Sequence, residues 1–390
     1  MKHHCFFVAL VAMMGCVSVA NAQSTYSTEM ERACRDLNTR LMMEGSISLG
    51  ELGEAGDILL PRIIKFDANE DGEITPNEVA KVQKKLQKIK KRQGKNKKKH
   101  VRKLKSGLRA THANVKYGAH ERNELDIWLA DSDKPTPLVI YIHGGAFKGG
   151  GRGIWCRWNE ADKFLKAGIS VAMINYRYCF QGENGVMDSL HDSARAVQFL
   201  RSKAAEWNLD PDRFGAIGSS AGAGTSLYLA SRDDLADPDN EDPVLRESTR
   251  LSAIGLRQTQ ATYNYDKWEE ILGVAVDGLE SYPGQEQIFY GQPKDMDRNA
   301  PEMQAVRREV DLLVWMSSDD APMWIHCNEK GDQPKNAYDR NHHPKHVIAL
   351  KKRAEEVGLD VRAYAPKIGL KPEGKKDISI IEFMKQYLKK

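Results

Sequence analysis

Of the 390 residues, 41% are hydrophobic and 29% charged, and 58 Lys and Arg against 54 Asp and Glu leave a formal net charge of +4. A mean hydropathy of −0.56, with one long apolar run near the start, excludes a polytopic membrane protein, and the apolar share excludes full disorder. The length allows one large core and an accessory module.

Lys2, His3 and His4 precede an apolar run from Phe6 to Met14, and Ala20-Asn21-Ala22 before Gln23 has the small-x-small pattern of a leader cleavage site. Residues 1–22 therefore read as a signal peptide, too short to span a bilayer, and the protein as secreted or periplasmic. Lipid attachment at Cys16 is the less favoured alternative, because Met13 and Met14 are poor residues ahead of such a cysteine. Cleavage after Ala22 leaves Cys34, Cys156, Cys179 and Cys327, enough for two disulfides at most. Their spacing does not suggest zinc.

Residues 23–92 read as a small all-α domain built on a pair of EF-hand loops. Asp67 to Glu78 fits the twelve-residue calcium loop at each diagnostic position. Calcium, a hard cation, would take side-chain oxygens of Asp67, Asn69 and Asp71, the carbonyl of Glu73 and both oxygens of Glu78, while Gly72 permits the sharp bend. Ile74 should face a partner loop. Arg40 to Glu51 has Gly45, Ile47 and Glu51 at the matching positions, but Arg40 and Met42 replace ligands, so one working structural calcium site is expected.

Residues 93–112 read as a basic linker. From Val79 to His120 there is no acidic residue and 16 Lys or Arg, leaving 42 basic against 54 acidic residues elsewhere. An extended, self-repelling strap is the favoured reading, and contact with an anionic surface the functional one. No aromatics interleave the basic run, so no nucleic-acid partner is expected.

Residues 113–390 alternate short β-branched runs with helical patterns. Leu138 to Ile142, Ile169 to Ile174, Arg213 to Ile217, Ala253 to Leu256, Met323 to Ile325 and Asp360 to Tyr364 read as buried strands of a mostly parallel sheet. Ser189 to Glu206, His346 to Val357 and Asp377 to Leu388 read as helices, giving a three-layer α/β sandwich. Gly218-Ser219-Ser220-Ala221-Gly222 lies between a strand and a helix, the context a G-x-S-x-G nucleophile turn requires. Upstream, His143-Gly144-Gly145 directly follows a strand, where the amides of Gly144 and Gly145, with that of Ala221, would converge on a developing oxyanion.

With these motifs, Asn123 to Gly149, Ile169 to Arg177 and Asp192 to Gly222 resemble secreted bacterial α/β-hydrolases of the HGG-type esterase and lipase family, the hormone-sensitive-lipase-like and acetyl/feruloyl-esterase-like proteins. The resemblance implies hydrolysis of carboxylic esters through a serine nucleophile without a catalytic cofactor, with a supporting role for His143. In that family the acid follows the next-to-last strand and the histidine the last. Here no histidine exists beyond His346. His342 and His343, at the start of the helix after Met323 to Ile325, are the substitute bases, with Glu329, Asp332 and Asp339 as acids and Asp332 favoured. Ser220, Asp332 and His343 would keep the order serine, acid, histidine.

The expected function is a serine carboxylesterase acting on a small-molecule or carbohydrate ester, under a lid formed by Arg232 to Arg250 and Thr262 to Pro322. The alternative is a hydrolase fold without activity, serving as a calcium-stabilised binding module. An imidazole within reach of Ser220 separates the two.

Overall fold

The computed structural model describes residues 47–48, 73–75, 102–157, 159–275, 284–374 and 376–389. The chain divides into two compact units, Met1–His100 and Val101–Lys390. In the first, Ile47–Ser48 pairs antiparallel with Glu73–Ile74, and Ile47 lies opposite Ile74. Both isoleucines hold the eighth position of the two expected twelve-residue loops. The leader, Cys16, Cys34, the helices around the loops, and Asp67, Asn69, Asp71 and Glu78 lie outside the described residues.

The second unit holds an eight-stranded sheet: β1 (His112–Lys116), β2 (Glu124–Trp128), β3 (Thr136–Ile142), β4 (Ser170–Ile174), β5 (Leu209–Ser219), β6 (Ala253–Arg257), β7 (Met323–His326) and β8 (Val361–Tyr364). Their order is β8-β7-β6-β5-β3-β4-β2-β1. All neighbours from β8 to β4 are parallel, and β1 and β2 close one edge antiparallel. β3 and β4 are buried at every position, because helices cover both faces, as a parallel sheet requires.

The two-residue period of β3 divides the core. Leu138, Ile140 and Ile142 join one apolar cluster with Leu190 and Val197 of α2 (Val186–Ser202), Leu227 of α3 (Ala221–Ser231) and Val347 and Leu350 of α5 (Lys345–Glu356). Val139 and Tyr141 join the other with Phe164 of α1 (Glu160–Lys166) and Phe383 and Met384 of α6 (Ile380–Leu388). The short α4 (Ala337–Asn341) stands just before α5. These are the three layers of an α/β-hydrolase fold. No helix among the described residues is long and apolar enough to cross a membrane.

The linker ends earlier than its charge suggests. Arg102 pairs with the buried Asp126 at 2.8 Å, Lys103 bridges Arg109, Leu104 is buried and Trp128 Nε1 donates to the Leu108 carbonyl. Residues 102–112 thus belong to the second unit, anchored by apolar residues within the basic run and by a buried carboxylate that neutralises Arg102. Cys156, Cys179 and Cys327 are free thiols. Asp192 lies within α2 and pairs with Arg177 at 2.8 Å.

Candidate active site

β5 ends at Ser219 and α3 begins at Ala221, leaving Ser220 at φ 53°, ψ −122°. A non-glycine residue there costs on the order of 1–3 kcal/mol and persists only when its surroundings hold it. The holding contacts are local. The Ser220 amide donates to the Arg257 carbonyl at 2.8 Å, and a Cβ on Gly218 would strike the Gly222 carbonyl, as one on Gly222 would strike the Ile142 carbonyl. Small residues on both sides of the serine are thus a packing requirement.

His342 follows α4 and places Nε2 2.8 Å from Ser220 Oγ. Its amide donates to the Tyr338 carbonyl, the Cys327 thiol donates to its carbonyl at 3.2 Å, and the Tyr338 ring meets the imidazole edge-on at 4.4 Å. Burial pushes the His342 pKa below its ordinary value, opposed by the Glu329 carboxylate and the Tyr338 carbonyl. At neutral pH the ring is therefore neutral and able to accept the serine proton. Its Nδ1 is buried and forms no hydrogen bond of good geometry among the described residues, so the Tyr338 carbonyl acts on the ring without a formed bond.

His343 faces elsewhere. Its Nε2 meets the main-chain carbonyl of Asp332 at 3.2 Å and its Nδ1 accepts from the Lys345 amide. His346 is fully buried, accepting from the Ala261 amide and donating to the Arg340 carbonyl, with its pKa pushed down to about 3 mainly by burial. The Ser220, Asp332, His343 combination is therefore not assembled. The imidazole at the serine belongs to His342, and exposed Asp332 offers its backbone to the neighbouring histidine. Asp339 is occupied by the Lys335 amide and Asn336. Glu329 is half-buried and accepts from Gln258 Nε2 at 2.7 Å and Tyr338 Oη at 3.0 Å, and of the three acid candidates it is the one whose charge raises the His342 pKa. The roles of Gln258 and Tyr338 had no local sequence signal, since they depend on loops from two different strands.

On the other side of Ser220, the turn after β3 carries Gly145, Ala146 and Phe147 at φ 123°, 51° and 57°. Gly144 packs so tightly that an added Cβ would lie 2.6 Å from the Ser219 carbonyl. Among the described residues, no protein acceptor takes the amides of Gly144 and Gly145, and that of Ala221 is one of the orphan donors at a helix start. His143 lies beneath, fully buried, with its pKa lowered to about 4 chiefly by burial. A small cavity opens over Ser220, about 50 Å³ in volume, lined by Phe147, Tyr263, Tyr265, Trp268 and Phe289 together with Gln260, Gln285 and Asn341. Phe147 packs against Tyr263 and Phe289 at 5.3 and 5.8 Å, so the aromatics serve at once as cavity wall and as core of the segment above it.

Residues 125–254 match the BD-FAE family model. Curated relatives include a probable isoprenylcysteine alpha-carbonyl methylesterase of Arabidopsis thaliana, 31% identical over 36% of this chain and 29% of its own length. Another is the chlorogenic acid esterase of Aspergillus niger, 30% identical over 25% and 22%. The chain thus spans under a third of the length of these relatives. Among solved structures, a truncated carbohydrate esterase from gut microbiota aligns at 20% identity over 64% of this chain and 85% of its own, with a TM-score of 0.49. An acetyl ester-xyloside bifunctional hydrolase from Caldicellulosiruptor lactoaceticus aligns at 19% identity over 61% and 75%, with a TM-score of 0.46. The segment that matches the family model runs from β2 into β6 and carries the glycine turn and the serine, and part of the chain is similar to proteins named as esterases.

Proposed function

We propose that the protein is a secreted or periplasmic serine carboxylesterase. The observation that carries this reading is the 2.8 Å approach of His342 Nε2 to Ser220 Oγ on a strained strand-to-helix turn. Ser220 attacks the ester carbonyl carbon while its proton passes to His342 Nε2. The resulting oxyanion is stabilised by the amides of Gly144, Gly145 and Ala221. Collapse breaks the bond to the alkoxide, which leaves with the proton from His342. Water, deprotonated by the same nitrogen, then releases the acid and restores the serine. No cofactor enters these steps.

Aromatic faces beside amide side chains in the cavity suit a ring with hydroxyl groups, so acylated carbohydrates are the proposed substrates. An imidazole within hydrogen-bond reach of the serine favours an enzyme over an inactive binding module. We assign calcium to the loop Asp67 to Glu78, as a structural ion, on the Ile47 to Ile74 register that pairing of two such loops demands. The basic residues before 102 remain a proposed contact for an anionic surface. Hydrolysis of p-nitrophenyl acetate by wild type and Ser220→Ala tests the activity. Wild type no faster than Ser220→Ala, on acetate and longer acyl chains alike, removes the esterase reading and restores the binding module.

A further inference from the structure

Arg122 lies in the turn between β1 and β2, 21 residues before His143 in sequence, yet it reaches the loop that carries the oxyanion donors. Its Nη2 is 3.4 Å from His143 Nε2 and 3.4 Å from the Gly150 carbonyl. Its Nε donates to the Tyr176 carbonyl at 2.7 Å, and its guanidinium lies 3.7 Å above the Tyr178 ring. One side chain thereby ties both ends of the turn His143 to Gly150 to the strand end beside it. Tyr176 completes the clamp, stacking on the His143 ring at 4.3 Å and donating its hydroxyl to the His143 carbonyl at 2.7 Å.

Arginine has donors only. The His143 nitrogen facing it must therefore present a lone pair, which places the ring proton on Nδ1. Nδ1 lies 2.8 Å from the Gly144 carbonyl, so it donates there. A trans peptide sets its carbonyl and its N–H in opposite directions. Holding the Gly144 carbonyl toward His143 turns the Gly145 N–H away from the imidazole.

We propose that Arg122 is a positioning residue for the oxyanion hole: by fixing the tautomer of His143 it orients the Gly144–Gly145 peptide so that the Gly145 amide faces the reacting carbonyl. The proposal rests on the esterase reading for its catalytic consequence, but the link from Arg122 to His143 stands on geometry alone. Arg152 also acts on the His143 ring but is engaged with Asp126 and Glu124, leaving Arg122 as the donor at Nε2.

The test compares full-length wild type, Arg122→Met and Arg122→Lys by ¹⁵N spectroscopy of the His143 ring and by steady-state hydrolysis of p-nitrophenyl acetate. In Arg122→Met the His143 ring is expected to leave the Nδ1–H form, and kcat to fall about 100-fold, the low end of the loss of one oxyanion donor. KM should stay within about twofold, because the ground-state carbonyl gains little from that amide, and Arg122→Lys, which keeps a donor and a charge, should recover part of kcat. An unchanged His143 tautomer in both variants overturns the proposal. So does a changed tautomer with unchanged kcat, or a loss that falls on KM alone. Wild type without Ser220-dependent turnover would refute the esterase reading, while the ring spectrum would still decide the link to His143.

Discussion

At Ser220 two demands meet in one residue: a backbone held at φ 53° and a hydroxyl aimed at an imidazole. His342 meets the second from the loop after β7, where the sequence offers it beside His343, rather than from the one after β8. Because burial lowers its pKa and Glu329 opposes that shift, the acid limb of kcat/KM should fall below the ordinary histidine value of about 6.5. Glu329→Gln removes the negative charge that raises the pKa, so the limb should move to still lower pH, and kcat should drop because the imidazolium formed in the transition state loses a compensating charge. Asp332→Asn should leave the profile in place. A pH profile of the three proteins decides this, and a displaced limb in Asp332→Asn alone would return the acid role to Asp332.

The elements show which features were legible from residues alone and which were not. Each of the six strands read from apolar runs overlaps an observed one, and the two glycine turns stand where strand-to-loop logic put them, because both are local consequences of backbone sterics. β1 and β2 carry no comparable apolar run, and residues 102–112 read as linker because averaged charge masks single anchors such as Leu104 and Arg102. The choice of His342 over His343 was equally invisible: adjacent residues at a helix start point to opposite sides, and only the folded loop selects one. The segment over the cavity follows the same rule. Its buried Glu286 accepts two hydrogen bonds from Arg307, which is 1% exposed, and no spacing rule joins them. Glu286→Ala would leave the guanidinium held only through Nη1, by Asp266 and the Arg298 carbonyl, and should cost about 3 kcal/mol, read as a lowered denaturation midpoint. A change below about 1 kcal/mol would show that the pair does not hold this segment.

On the scale of the whole molecule, stability should depend on both acid and calcium. His143 and His346 are buried neutral, with pKa values of about 4 and about 3, while the unfolded chain binds their protons near pH 6.5. As pH falls from 6.5 toward 4 the unfolded state takes up more protons, so stability must decline through that window. Urea denaturation at pH 7 and pH 4.5 should show it, and replacing His346 with Gln should reduce the slope. The first unit should respond to the ion: chelation is expected to lower its melting temperature, and Asp67→Ala to abolish the difference between calcium and chelator. Equal melting curves with and without calcium in the wild type would remove the ion from the account.

Everything proposed for the active site depends on Ser220 and His342 working as a pair. The most direct measurement is kcat/KM for p-nitrophenyl acetate in His342→Gln and His343→Gln, beside wild type and Ser220→Ala. His342→Gln is expected to fall to the level of Ser220→Ala, a loss of about 10⁴-fold or more, while His343→Gln keeps most of the wild-type rate. The reverse order, or equal retention of activity in both histidine variants, would contradict it.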